Sequence, residues 1–373
     1  MLEPQQYDFG GQVTRGAYVV ASSVWNGLST DPTLLWAFFR AQRTAFANTP
    51  FRHPHGAPVV MAQVRQLDPR WAGLTRMQAL VRGVVKQLNP VLAACAGRRI
   101  GVALALPEDM GPHTLRKVRG GLSALEETVR AEVEAQGGPA GCAVHTEARG
   151  HAAGAYCVMQ AAHAVASGAL DVTIVLGVDT YYDPAIVAQL LAEERILDTK
   201  AHDAFLPGEG AAALVLAAGD ITGSRRWSAM AEVRAVGTCD EPATLDNDTR
   251  MLGMGLSRAC HAATAKLRRA GGELDWWMTD MTPEHLRARE FQLAWPRVAQ
   301  GLMPPTATLD HLPSQLGDLG AASIPTGIAL ACESFRHSGS SARNCLVTAS
   351  SVGHARAAVL VHACGAPGDA PHG

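Results

Sequence analysis

The sequence predicts an α/β protein in which sheets and helices are stacked in layers, on three observations. Short apolar runs of strand length alternate with alanine-rich helical stretches along almost the whole chain. Alternation of this kind produces parallel or mixed sheets covered by helices. One helical stretch, AAGAYCVMQAAHAVAS at 152–167, carries no acidic or basic side chain other than His163. A helix apolar all round has to lie inside protein, here between two sheets.

Taken in order, the strand candidates are GAYVVASSV, RIGVALAL, DVTIVLGV, AAALVLA, LDWWMTDM, NCLVTASS and AAVLVHA. Between them the spacing predicts helices over 33–46, 75–95, 115–136, 152–167, 185–195, 250–270, 284–299 and 321–336. Gly and Ser in DITGSRRW mark a boundary after the strand AAALVLA, giving an N-terminal half at 1–223 and a C-terminal half at 224–364. The Pro/Gly-rich tail GAPGDAPHG, 365–373, reads as disordered.

Bulk properties exclude several classes. With 373 residues and 47% hydrophobic content the chain can bury a large core. Its 32 basic and 34 acidic residues leave a net charge of −2, so no overall field draws it to nucleic acid or to anionic lipid. The N-terminus lacks a basic and apolar leader, and no run approaches the roughly 18 apolar residues of a membrane span, so a cytoplasmic protein is expected. Eight scattered cysteines without CxxC pairs point to reduced, buried thiols and not to zinc or disulfides.

Residues 168–216 carry the most specific signal, GALDVTIVLGVDTYYDPAIVAQLLAEERILDTKAHDAFLPGEGAAALVL. This resembles the β-ketoacyl synthase segment in which a GxxDxxxxGGV strand precedes a helix, a loop and FxPGEGAGxLVL. GAYVVASSVWNGLSTDPTLLWAFFRAQRTAF, RRIGVALALPEDM, MAEVRAVGT, WWMTDMT and QLGDLGAASIPTGIALA resemble further segments of that family in the same order. The resemblance covers nearly the whole chain and implies a thiolase-like five-layer αβαβα fold, two similar halves each with a mixed sheet.

Synthases of this family use a cysteine at the N-terminus of the buried helix and two histidines. A helix N-terminus makes a thiolate reactive, and backbone N–H groups beside it form an oxyanion hole. By resemblance the cysteine position falls on His151, followed by the small pair Ala153-Gly154. The first histidine motif falls on Asp280-Met281-Thr282, and the second on the stretch from Gly317 through Asp318 to Ala322. The family's lysine falls near Pro313, and its glycine-rich gating loop on Ser351-Val352-Gly353-His354-Ala355.

Cys-His-His thus becomes His151, Asp280 and Asp318, and two carboxylates cannot donate the cationic hydrogen bonds that a decarboxylating enolate needs. A pseudo-enzyme resembling chain-length-factor subunits is expected, with no catalytic residue, no cofactor, and vestigial positions at His151, Asp280, Asp318 and Gly353. Its role would be a structural subunit, scaffold or adaptor. One setting is a synthase assembly, as a homodimer or a heterodimer with a ketosynthase-like subunit and with acyl-carrier protein. The other is delivery of a type VI secretion effector, where degenerate ketosynthase-like proteins also occur. The alternative is an altered acyl-transfer or hydrolytic enzyme with His151 as base.

The His-Asp-Asp set is expected to form a hydrogen-bonded polar cluster, with a divalent metal site as the minor alternative. Gly208, Glu209 and Gly210 are expected to form a structural turn that the Glu209 carboxylate caps. The basic stretch Arg116-Lys117-Val118-Arg119 could face an acidic carrier protein, although such a run is usually a solvated helix face.

Overall fold

The structure, a computed structural model, describes residues 5–8, 16–108, 121–222, 227–337 and 341–364. The expected boundary at 223/224, the tail 365–373 and the basic stretch 116–119 lie outside the described residues.

In the first half the chain forms β1 (Gln5–Asp8), β2 (Ala17–Asn26), α1 (Pro32–Arg40), the hairpin β3 (Ala47–Arg52) and β4 (Pro58–Met61), then α2 (Gly73–Gln87) and α3 (Asn89–Ala93). It continues through β5 (Ile100–Ala105), α4 (Gly121–Ala135), β6 (Ala143–Glu147), α5 (Ala153–Ala166), β7 (Val172–Thr180), α6 (Pro184–Ala192), β8 (Glu209–Ala218) and α7 (Gly219–Thr222). The second half holds β9 (Ala231–Asp240), α8 (Met254–Arg269), β10 (Trp276–Thr279), α9 (His285–Ala299), β11 (Thr308–His311) and α10 (Pro313–Leu316). Last come α11 (Ser323–Arg336), β12 (Asn344–Ser350) and β13 (Ala355–Ala363).

Both halves use one strand order. The first reads β6-β5-β7-β8-β2 and the second β11-β10-β12-β13-β9. Strand β5 is parallel to β6 and β7, whereas β8 is antiparallel to β7 and β2. The same alternation recurs around β10, β12 and β13. The expected pair of mixed sheets is therefore present, but hydrogen bonds join the two into one array. The β2–β9 seam is short, Tyr18 opposite Glu232 and Val19 opposite Ala231, and β1 adds an antiparallel ladder to β9 from Gln5 opposite Thr238 to Asp8 opposite Ala235.

Layering follows from where the apolar side chains go. Helices α5 and α11 fill the middle and touch strands of both halves, while α2 and α4 cover the outer face of the first sheet and α8 and α9 that of the second. Three apolar clusters correspond to these interlayers. Helix α5 is buried along most of its length, as its composition requires, and only near its C-terminal end does His163 reach solvent. Close packing in the middle layer depends on Gly154, where a Cβ would lie 2.7 Å from Pro325 Cδ and 2.9 Å from Ile324 Cβ.

The expected turn at Gly208-Glu209-Gly210 is not formed, because Glu209 and Gly210 already belong to β8 and Gly208 bridges to Ala62. Gly208 is needed for close approach instead, since a Cβ there would meet the carbonyl oxygens of Leu316 and Asp318 at 2.8 Å. Glu209 caps nothing in the turn. Its wholly buried carboxylate accepts from Val64 N–H at 2.7 Å, Thr180 Oγ1 at 2.7 Å and Arg76 Nε at 2.7 Å, with Arg76 Nη2 closing a second contact. One carboxylate so ties β8 to β7, to α2 and to the segment after β4.

Removing one member of a buried ion pair leaves the other uncompensated, which costs about 3–5 kcal/mol, whereas replacing both with apolar residues is often near neutral. Glu209→Ala is expected to lose stability in that range by denaturant unfolding, and Arg76→Met with Glu209→Leu to recover most of it.

Candidate functional site

The two central helices start by the same device. Each is preceded by a single 3₁₀ turn, Gly150–Ala152 before α5 and Gly320–Ala322 before α11. Each turn opens on a glycine in the left-handed region, Gly150 at φ +60° and Gly320 at φ +49°. Because Gly154 permits close contact, these two helix starts lie against one another.

Helix N-termini present unpaired N–H groups and favour negative charge. At the start of α11 both needs are met by carboxylates: Gly320 N–H donates to Asp318 Oδ1 at 2.8 Å and Ala321 N–H to Asp179 Oδ2 at 3.0 Å. At the start of α5 a hydroxyl serves, as Ala152 N–H donates to Ser351 Oγ at 3.0 Å while that hydroxyl donates to Arg149 O at 2.5 Å.

His151 lies in this junction, 3% exposed, with Nε2 2.6 Å from Asp318 Oδ1. Arg287, from the first turn of α9, reaches in between. Its Nη1 is 3.1 Å from His151 Nε2 and 3.2 Å from Asp318 Oδ2. Its Nη2 donates to Asp280 Oδ2 at 2.6 Å and Asp280 O at 2.9 Å. Asp280 also accepts Ser350 N–H, at 3.2 and 3.0 Å to its two oxygens. The structure therefore brings His151, Asp280 and Asp318 together, through an arginine that the sequence reading did not single out.

Electrostatics follow from this balance. Burial by itself would lower the His151 pKa and Arg287 pushes the same way, but the Asp318 carboxylate outweighs both and the net direction is upward. Burial would raise Asp318, yet His151, Arg287 and the Gly320 N–H hold it well below the ordinary carboxylate range. Asp179 behaves oppositely, and burial pushes it up to about 7. The carboxylates of Asp280 and Asp318, the His151 imidazole and the Arg287 guanidinium thus form one hydrogen-bonded polar network, as expected from the sequence. The donor set does not suit the alternative divalent cation, since Arg287 and backbone N–H groups already saturate both carboxylates.

A cavity of about 160 Å³ adjoins the cluster, lined among others by Glu108, Gly150, His151, Asp179, Tyr181 and Val352. His151 Nδ1 is buried there without a hydrogen-bond partner. Gly353 does not join the charged network. Instead the Glu108 carboxylate accepts Val352 N–H at 2.9 Å and Gly353 N–H at 3.0 Å, so an acid of this chain occupies the backbone donors of that loop. Glu209 and Gly210 stand apart, whereas Gly208 touches the network only through the backbone of Asp318. Asp179 and Glu108 also went unnoticed in the sequence, although Asp179 lies at the C-terminal end of β7 and Glu108 three residues past β5, where α/β proteins place functional side chains.

Paired charges make stability depend on pH. His151, raised in the folded state, contributes fully below its ordinary value of 6.5, and that part is lost as pH rises through the folded value. Asp318, depressed when folded, contributes above 3.8, and that part is lost as pH falls through its folded value. Asp318→Asn is expected to cost about 3–5 kcal/mol at pH 5–6, where both contributions are complete, and progressively less as pH climbs beyond 6.5. Histidine-ring NMR should show His151 doubly protonated above pH 6.5 in the wild type and neutral there in the variant; an unchanged titration would refute the pairing.

No family model matches the chain, and no curated protein is similar to it. Solved structures are. The ishigamide ketosynthase/chain length factor superposes with a TM-score of 0.74 at 19% identity, covering 94% of this chain and 100% of that one. The ketosynthase of the type II polyketide synthase complex AntDE:AntF, solved with its acyl-carrier protein and a bound hexaketide, gives 0.74 at 14% identity, with 94% and 100% covered. An oxazolomycin ketosynthase domain from Streptomyces albus gives 0.73 at 16%, covering 96% of this chain and 76% of that domain. At these identities the likeness speaks for architecture, and on it the chain has the thiolase-like fold of the ketosynthases.

Proposed function

We propose that this chain is a non-condensing ketosynthase-fold protein that serves as a structural subunit, scaffold or adaptor. The observation that carries this reading is the locked state of His151. The residue at the expected nucleophile position is an imidazole whose Nε2 is held by Asp318, with Arg287 and Asp280 behind it. An Nε2 hydrogen-bonded to a carboxylate and hemmed in by a guanidinium is not free to attack a thioester. Both positions expected to hold histidines carry carboxylates, and Glu108 fills the loop N–H pair at Val352 and Gly353, so the groups needed to polarise a thioester carbonyl are committed elsewhere.

A partner is part of this reading. Strand β6 forms one edge of the sheet, Ala143 and His145 along it are exposed, and an unpaired edge is a template for a further strand. A second ketosynthase-like chain, identical or not, fits that edge, and the solved relatives make acyl-carrier protein a natural third component. Service to a type VI secretion effector is the other setting for the same scaffold, and gene neighbourhood separates the two. No helix among the described residues is long and apolar enough to cross a membrane.

The second reading, an altered acyl-transfer or hydrolytic enzyme, is favoured by the unpartnered His151 Nδ1 and the adjoining cavity. Intact mass spectrometry after incubation with acyl-CoA and with acyl- or malonyl-carrier protein decides between them. Unmodified protein and unconsumed thioester are expected, and an acyl adduct or hydrolysis would replace the first reading with the second. Restoring a thiol alone by His151→Cys should still give no condensation, because Asp280 and Asp318 remain. Sedimentation should show pairing, with itself or with a ketosynthase, that Val144→Pro in β6 abolishes; a wild-type chain that stays monomeric in both settings would rule out the edge as an interface.

A further inference from the structure

Away from the His151 network, two imidazoles and a carboxylate converge at the tip of the β3/β4 hairpin. The turn His53-Pro54-His55-Gly56 is closed by His53 N–H to Ala57 O at 2.9 Å and Gly56 N–H to His53 O at 2.8 Å, with Gly56 at φ +91°. Pro54 stiffens the segment between the histidines. Their rings lie side by side, centroids 5.2 Å apart and planes 26° from parallel. Facing them, in the loop after α6, Asp198 has Oδ1 fixed by the N–H groups of Lys200 at 2.7 Å and Ala201 at 2.6 Å. That leaves Oδ2 aimed at the rings, 3.2 Å from His53 Nδ1 and 3.8 Å from His55 Nε2.

We propose that His53, His55 and Asp198 form a binding site for a divalent cation of the zinc type. One ligand-capable atom from each residue lies within 4.8 Å of the others. Tetrahedral coordination at about 2.0–2.1 Å from nitrogen or oxygen puts donors roughly 3.3–3.4 Å apart, a spacing the two measured approaches bracket. Two imidazoles with one carboxylate suit zinc and neighbouring transition metals, and not the all-oxygen preference of Ca²⁺ or Mg²⁺. The fourth position opens on a cavity of about 390 Å³ that Glu194 and Lys200 also line. A three-ligand site with one open position can take water, a substrate atom or a donor from another chain.

A plain ion pair between Asp198 and His53 leaves unexplained why a second imidazole, His55, is brought to the same carboxylate oxygen. His53 is 6% exposed, its ring held beside that of His55 and facing Asp198. A dication at the centre would engage all three donors at once. Such an ion would tether the hairpin to the α6 loop, segments about 145 residues apart in sequence.

Zinc titration of the full chain by calorimetry, with metal content after dialysis read by elemental analysis, tests this directly. The wild type should retain about one zinc per chain and melt at a higher temperature with zinc than without, while His55→Ala and Asp198→Asn should bind at least roughly tenfold more weakly and lose the thermal shift. His55 is partly exposed, so its variant is expected to fold, and circular dichroism verifies this. Cobalt in place of zinc should give the visible bands of a tetrahedral site. Substoichiometric zinc in the wild type, equal binding by the folded variants, or the same response to Mg²⁺ would overturn the site.

Discussion

The close approach of α5 and α11 at their N-termini is the constraint around which the site is built. Gly154 allows the contact, and it sets two positive helix ends side by side in the least hydrated part of the molecule. Unpaired N–H groups there must be met from within the protein. Asp318 and Asp179 meet those of α11, and Ser351 meets that of α5. Buried carboxylates in turn demand positive charge, which His151 and Arg287 bring. Each member of the network follows from the one before it, starting from a missing side chain.

Such a network is costly to assemble, because four charged groups leave water, and its net contribution to stability is small unless every oxygen and nitrogen is paired. Most are paired here; His151 Nδ1 and Arg287 Nε are left over. What the cluster secures is geometry. It fixes the ring of His151, the entrance of α11 and the end of β10 relative to one another, and a single altered charge disturbs all three.

Much of this was legible in the sequence. Strands β5, β7, β8, β12 and β13 each contain an apolar run, and α5 announces its position by lacking charge, so the layers could be read directly. The short strands β6, reading AVHTE, and β11, reading TLDH, could not, since they are polar and sit at the sheet edges. His151, Asp280 and Asp318 came from motif positions. Arg287 was missed because PEHLRARE looks like an exposed basic helix, and its partner His151 lies 136 residues away. Glu209 was misplaced for a related reason: PGEG has the composition of a turn, and only the fold reveals Arg76 opposite it. His53 and His55 are ordinary loop residues until Asp198 is brought beside them.

The brief seam between β2 and β9 has a consequence for synthesis. The two β2–β9 pairs and the short β1–β9 ladder leave the union of the halves resting largely on the shared helical layer, to which the first half brings α5 and the second α11. The first half is complete at β8, about a hundred residues before α11 is made, and at about 5–20 residues per second its inner sheet face, covered by α5 but not yet by α11, waits roughly 5–20 s for the rest of the central layer. During that interval the nascent chain is a natural client for chaperones, and the last helix to be translated also closes the core.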